Sequence, residues 1–102
     1  MREFEYESFP RPDGLPTVVL SDVERAIGEI SYHRVVMDSG AETTTTLCTI
    51  VMDNGHTVTA TSACVIPEKF DEEIGQNLAR AAAVAKIWEL LGYELRLKLN
   101  AQ

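Results

Sequence analysis

The chain has 102 residues with a formal net charge of -7, 45% hydrophobic residues and 25% charged residues. This length and composition predict one ordinary globular domain and exclude global disorder. The negative charge argues against non-specific binding of DNA or RNA polymers, which needs clustered Lys and Arg, although a pocket with one or two Arg could still bind a small anion. No apolar run approaches the ~18 residues of a membrane span, and the acidic, aromatic N-terminus is unlike a signal peptide, so a cytoplasmic protein is expected.

Residues 1–16 hold three of the four prolines and show no periodicity. They predict an extended N-terminal arm that precedes a single domain of residues 17–102. The arm also carries Phe4, Tyr6 and Phe9, more aromatic side chains than a free tail needs. The alternative is therefore that the arm becomes ordered against a partner chain.

A short helix is predicted for residues 22–30. Ser21 and Glu24 have the spacing of a capping box, which satisfies two backbone donors at a helix start. The apolar residues that share one face are Val23, Ala26, Ile27 and Ile30. Residues 32–37 (YHRVVM) then predict a strand, which the turn-forming sequence DSG ends.

The Asn54-Gly55 pair predicts a β-hairpin over residues 44–65, because Asn-Gly supplies the positive φ values of a two-residue type I′ turn. That turn pairs Val51 with Val58. In this register Cys48 and Cys64 point to opposite faces, so two thiols are expected and no disulfide. Both faces are partly apolar, which predicts a sheet covered on both sides, by helices or by another subunit.

A long, Ala-rich helix is predicted for residues 70–91. Pro67 interrupts the hairpin, and the carboxylates of residues 71–73 favour a helix start through the helix dipole. Apolar residues at spacings of three and four form one stripe: Phe70, Ile74, Leu78, Ala81, Ala85 and Trp88. Four further residues widen it: Ala79, Ala82, Ala83 and Ile87. We expect this stripe to bury against the chain's own sheet, with a helix crossing in a dimer as the alternative.

The segment after Gly92 alternates apolar and polar residues (YELRLKL), which predicts a helix end at the glycine and a C-terminal strand over residues 93–99. On that strand Arg96 and Lys98 would lie opposite the leucines. The predicted fold class is therefore α+β, with an antiparallel sheet built around the hairpin.

No motif for catalysis or metal binding is present. The His and Cys residues lack the paired spacing of a zinc site, and no nucleophile elbow or phosphate-cradling glycine loop occurs. We therefore expect no catalytic residues, no metal, no cofactor and no enzymatic activity. Aromatic, amide and arginine side chains that could hold a nucleobase and a phosphate are Phe70, Asn77, Arg80, Trp88 and Arg96.

The stretch NGHTVTATSACVIPEKFDEEIG, with NLARAAAVAKIW and GYELRLKL after it, resembles a family of small phage proteins named after gene 49 of coliphage N-4 and gene 66 of Shigella phage Sf-6. The resemblance covers about residues 21–99. It rests on Cys48, Asn54-Gly55, Ser62-Ala63-Cys64, Pro67, Phe70-Asp71, Glu73-Ile74-Gly75, Lys86-Ile87-Trp88 and Gly92-Tyr93. The chain has Gln76-Asn77 where the family tends to have a basic pair, which puts a phosphate contact there in doubt.

The Phe-Asp-x-Glu-Ile-Gly helix start is also similar to that of the anti-Thoeris proteins, phage sponges that bind cyclic ADP-ribose-type signals, and sometimes cyclic oligonucleotides, without catalysis. This resemblance implies a homo-oligomer, a dimer or higher, that sequesters a small cyclic nucleotide in the host cytoplasm and counteracts anti-phage defence. The ligand would lie near a subunit junction. By residue type, Phe70 would stack on the base, Arg80 and Arg96 would bind phosphate, and Asn77 would contact a base or ribose edge.

The alternative function is a protein-protein interaction module. Such a module would bind a host or phage protein through an exposed strand edge or through the aromatic arm.

Overall fold

The computed structural model describes residues 16–101, so the predicted arm lies almost entirely outside the described residues. The elements in chain order are α1 (Leu20–Ala26), β1 (Ile27–Val36), β2 (Glu42–Met52), β3 (Thr57–Ala63), a 3-10 turn (Pro67–Lys69) and α2 (Glu72–Asn100). The strands form one antiparallel sheet in the order β1-β2-β3, and α2 packs on one face of it. The α+β class, the hairpin, the short first helix and the long helix are confirmed.

The hairpin turn is one residue longer than predicted. The Met52 N–H donates to the His56 carbonyl at 2.8 Å, so residues 53–55 form the loop. Gly55 has a φ of +89°, whereas no non-glycine residue in the range 16–101 has a positive φ, so Asn54 cannot take part in a type I′ turn. The strands consequently pair Ile50 with Val58, and the predicted Val51–Val58 pairing is wrong.

The longer turn also changes the faces of the two cysteines, because a register shift of one residue reverses the face of every side chain on a strand. Cys48 faces Ala60, and the Cys64 N–H donates to the Thr44 carbonyl, so both cysteines lie on the same side of the sheet. They are four positions apart along the strands, about 13 Å. That distance explains why both thiols are free, as predicted, although the predicted reason was wrong.

The first helix begins and ends earlier than predicted. It starts at Leu20, so Ser21 lies inside it and does not form the predicted capping box. Asp22, which is fully buried, instead accepts the Val19 N–H at 2.9 Å and thereby satisfies a backbone donor at the helix start.

Residues 27–30 belong to β1 and not to the helix, because pairing with β2 satisfies their backbone groups. Ile30 faces Ile50, and a bulge separates Ile27 from Glu29. Gly28 lies at that bulge, where a Cβ atom would come within 2.8 Å of the Val51 carbonyl oxygen. The close approach lets the chain pass directly from helix to strand.

The predicted C-terminal strand over residues 93–99 is wrong, because α2 continues through it to Asn100. Gly92 lacks the positive φ of a helix-ending glycine. Leu, Glu, Arg and Lys are all strong helix formers, and Lys98 pairs with Glu94 one turn earlier at 3.9 Å. Extending an existing helix adds one hydrogen bond per residue, so the alternating pattern does not decide the structure here. Arg96 therefore lies on a helix.

The core lies between α2 and the sheet, and the helix buries mainly the residues predicted to widen the apolar stripe, whereas the stripe itself is more exposed. The buried residues of α2 are Ala79, Ala83, Ile87 and Leu91. Ile74 and Leu78, which were expected in the core, are 58% and 59% exposed, and Trp88 is 38% exposed. Small side chains on the inner side let the helix backbone approach the sheet closely, which is the physical reason for this orientation.

The opposite face of the sheet is open in the described part of the chain, so the chain's own helices do not cover it, and coverage by another subunit stays a prediction. Val51 on this face is 38% exposed. The described chain measures 54 × 29 × 18 Å, and its shortest dimension accommodates one sheet and one helix. None of the helices described is long and apolar enough to cross a membrane.

Candidate functional site

A small cavity of about 110 Å³ lies where the start of β2, the end of β3 and the first two turns of α2 meet. We call it the Phe70 pocket. Its lining residues are Thr44, Ser62, Ala63, Cys64, Lys69, Phe70, Asp71, Ile74, Gly75 and Leu78. The site therefore combines an aromatic ring and aliphatic side chains with hydroxyl groups, one ammonium group and one carboxylate.

Local hydrogen bonds fix the pocket's shape. Asp71 is the N-cap of α2, and its Oδ1 accepts the Ile74 N–H at 3.0 Å. The Ser62 hydroxyl donates to the Gly75 carbonyl at 2.6 Å and ties the end of β3 to the first turn of the helix. Phe70 directly follows the 3-10 turn and directly precedes Asp71.

The Phe70 ring is held by a cation that sequence analysis did not identify. The guanidinium carbon of Arg34 lies 4.2 Å from the ring centroid, within the range of a cation–π contact. Arg34 is itself fixed, because its Nε donates to the Thr43 carbonyl at 2.6 Å and its Nη1 to the Glu42 carboxylate at 3.0 Å. Side chains alternate along β1, so Arg34 lies on the same face as Ile30, the face that α2 covers. This alternation is the only feature of the sequence that points to Arg34.

Thr46 lies beside the pocket with a buried hydroxyl. The residue is 2% exposed, and within residues 16–101 its Oγ1 has no hydrogen-bond partner. A Cβ atom on Gly75 would lie 2.7 Å from this oxygen and 3.8 Å from the Phe70 ring, so all three groups border the same point. Buried hydroxyls are usually hydrogen-bonded, and a polar group that entered here would gain a bond.

The structure brings together only part of the predicted site. Phe70 lines the pocket, and Asn77 and Arg80 are exposed on the next turns of α2. Trp88 and Arg96 lie about 16 Å and about 28 Å farther along the helix than Asn77, at 1.5 Å per residue. One chain therefore does not gather the five predicted residues around one ligand.

The charged groups at the pocket are Lys69, Asp71 and, over the Phe70 ring, Arg34, and the Asp71 carboxylate also caps the helix. Burial raises the pKa of the Cys48 thiol, and the positive charge of Arg80 partly opposes that effect. The field of Arg80 thus reaches the sheet beneath α2. No group of three or more side chains suited to bind a metal occurs between residues 16 and 101.

Residues 18–99 match the phage protein (N4 Gp49/phage Sf6 gene 66) family, whereas comparisons with curated proteins and with solved structures give no significant match. The matched segment contains the whole sheet, the Phe70 pocket and nearly all of α2. Since the match extends over most of the chain, this protein belongs to the phage protein (N4 Gp49/phage Sf6 gene 66) family.

Proposed function

We propose that this protein is a non-catalytic binding protein that sequesters a small cyclic nucleotide of the cyclic ADP-ribose or cyclic oligonucleotide type, and thereby counteracts a host anti-phage signal. The observation that carries the proposal is the Phe70 pocket, in which an aromatic ring is immobilised by Arg34 beside an apolar cavity. A ring that is already fixed loses little conformational entropy when a base stacks on it.

The size of the pocket suits one base better than a whole nucleotide. Pockets that enclose a drug-sized ligand have volumes of roughly 300–1,000 Å³, whereas this one has about 110 Å³. A nucleobase would occupy the cavity, and the ribose and phosphates would lie outside.

Local charge directs the phosphates along the helix and away from its start. Glu72 and Glu73 occupy the first turn of α2 and repel an anion there. Arg34 also lies near the ring, but it already contacts Glu42 and Phe70. Lys69 lines the pocket, Arg80 lies farther along α2, and Asn77 lies between the pocket and Arg80 in sequence. We assign phosphate binding to Arg80 and Lys69, and contact with the ribose or base edge to Asn77.

The expected ligand is bound and released without chemical change. Catalysis of acyl or phosphoryl transfer would require a nucleophile with its base, or a paired acid and base, near the ligand. In the Phe70 pocket the Ser62 hydroxyl donates to a backbone carbonyl and Asp71 caps a helix, so the proposal gives neither a catalytic role.

Calorimetry with cyclic ADP-ribose isomers and with cyclic di- and trinucleotides tests the proposal. We expect one of these classes to bind with a Kd below ~100 μM. Phe70→Ala should weaken binding about 5- to 150-fold, because stacking on an aromatic ring contributes roughly 1–3 kcal/mol per base. Tyr93→Ala is the matched control, since Tyr93 is 68% exposed and does not line the pocket.

Absence of binding tighter than ~100 μM for every one of these ligands would overturn the proposal. Mass spectrometry of small molecules released when the purified protein is heated identifies the natural ligand directly. A nucleotide that is consumed by the pure protein would instead indicate an enzyme.

A second candidate function is binding of a host or phage protein through a strand edge. It is favoured by one observation, the strand order β1-β2-β3, which leaves β1 and β3 as edges in the described part of the chain. A pull-down from infected cells that recovers one stoichiometric protein and no nucleotide would support this candidate over the first.

A further inference from the structure

The side of α2 that faces away from the sheet carries a continuous apolar seam. Its members are Ile74, Leu78, Ala81, Ala85, Trp88, Gly92, Leu95 and Leu99. We call this set the outer seam. The intervals alternate between four and three residues from Ile74 to Leu99, which is the heptad spacing of helices that pack side by side.

The outer seam is accessible in the single chain. Its large members Ile74, Leu78, Trp88 and Leu99 are 58%, 59%, 38% and 41% exposed, and Leu95 is half-buried. A strip about 37 Å long and about 10 Å wide has a footprint of roughly 400 Å². Contiguous apolar patches of this size on a protein surface commonly mark an interface.

We propose that the outer seam pairs with the outer seam of a second copy of this chain. A heptad seam is complementary to another helix with the same spacing, and among the described elements only α2 is long enough to carry one, since α1 has 7 residues. When two copies are related by a twofold axis, each outer seam covers the other, and no outer seam is left free for a third copy.

The sizes of the side chains select an antiparallel pair. In that orientation Ile74 packs against the partner's Leu99, Leu78 against the partner's Leu95, and Ala85 against the partner's Trp88. Residues at the same height along the two helices form a layer. Each of the two central layers then contains one Trp88 indole and one Ala85 side chain. A parallel pair would place two tryptophans together beside a layer of two glycines, and one interhelical distance cannot fit both layers.

The antiparallel pair completes the Phe70 pocket. Ile74 and Leu78 belong to both the pocket and the outer seam, so the partner's last helical turns cover the pocket's open side. The partner's Arg96 then lies level with Asn77, although these positions are about 28 Å apart within one chain. Pairing itself does not depend on the proposed function; only the role of the partner's Arg96 in phosphate binding rests on it.

Sedimentation equilibrium of matched variants tests the pairing. Leu78→Glu should weaken dimerisation at least 100-fold, whereas Leu97→Glu should leave it unchanged. The two leucines have similar exposures, 59% and 54%, but Leu97 lies on the other side of the helix. Circular dichroism checks that both variants are folded. A wild-type chain that stays monomeric up to millimolar concentration, or equal losses in both variants, would overturn the proposal.

Cysteine cross-linking tests the orientation, in a Cys64→Ser background that leaves only the buried Cys48. An antiparallel pair predicts that Ala81→Cys and Gly92→Cys chains form a disulfide when mixed, and that neither variant cross-links with itself. Self-linking of either variant would overturn the antiparallel arrangement. Absence of any cross-link in the mixture would overturn the pairing of these two layers.

Ala85→Glu separates this inference from the proposed function, since Ala85 does not line the Phe70 pocket. If both proposals hold, this variant is monomeric and binds the nucleotide at least tenfold more weakly than the wild type. A dimeric wild type that binds no nucleotide would overturn the function alone. A wild type that binds nucleotide, with an Ala85→Glu variant that binds equally well, would overturn the partner's role in the site.

Discussion

The inner and outer sides of α2 are both apolar, but the inner side is buried and the outer side is largely exposed. On the inner side Ala79, Ala83, Ile87 and Leu91 are 0% exposed against the sheet. On the outer side the larger side chains stay in contact with solvent. The inner side begins with small residues because the sheet comes close there, as the 2.7 Å distance from a Cβ on Gly75 to the Thr46 hydroxyl indicates. Apolar periodicity therefore does not by itself show which side of a helix meets the sheet.

Adjacent residues on the two sides give the largest expected contrast. Ile87→Ala removes buried side-chain volume and should lower the free energy of unfolding by about 2–5 kcal/mol. Trp88→Ala should lower it less in dilute solution, since Trp88 lies on the outer side and is 38% exposed. Urea denaturation at micromolar concentration measures both. Equal losses would show that the outer side is also part of the single-chain core.

The two glycines of α2 test the difference between the inner and outer sides in a second way. Gly75→Ala should destabilise the fold by about 1–3 kcal/mol, because the new methyl group meets the Thr46 side chain. Gly92→Ala should stabilise the monomer by up to about 1 kcal/mol, since no atom lies within 4 Å of a Cβ there and alanine favours a helix. Thermal unfolding below the dimerisation range gives both values. A stabilising Gly75→Ala would contradict the close approach of helix and sheet.

A pH titration should show the smallest of these effects on the free energy of unfolding. It reports on the core between the sheet and the inner side of α2. Burial raises the pKa of the Cys48 thiol in the folded chain, so the folded state holds this proton more tightly than the unfolded state. The free energy of unfolding should therefore be unaffected by Cys48 below about pH 8.5 and should fall as the pH rises above that value.

Cys48→Ala supplies the control for this titration, because it should flatten the alkaline loss of stability. Cys64→Ser is the comparison variant, because it removes the other cysteine and should keep the part of the loss that Cys48 causes. Urea midpoints measured between pH 7 and pH 10 decide the comparison. An unchanged slope in Cys48→Ala would assign the effect to another group.

The sequence predicted the elements better than their boundaries and pairing. The carboxylates after Phe70 predicted the helix start, and Asp71 is indeed its N-cap. Asn54-Gly55 predicted the hairpin, but the choice between a two-residue and a three-residue loop depends on the φ of Asn54, which the residue type does not determine. The segment after Gly92 satisfied both a strand pattern and helix propensity, and continuation of an existing helix prevailed.

The candidate site was predicted in part for a similar reason. Phe70 was identified because its place at the helix entry is visible in the sequence. Arg34 was missed, since its contact with Phe70 joins residues 36 positions apart and depends on β1 register and on the packing of α2. Trp88 and Arg96 were grouped with the pocket by residue type, whereas the structure distributes them along one long helix.

By itself, the sequence determined the fold class, the hairpin and the existence of a long helix with an apolar stripe, because these follow from turn chemistry, helix capping and periodicity over short distances. Only the tertiary structure decided which side of α2 meets the sheet. The helix has two stripes that can be buried, and the one with small residues at its start fits the close approach of the sheet. That choice leaves the larger side chains of the outer seam exposed, and the proposed pairing would cover them.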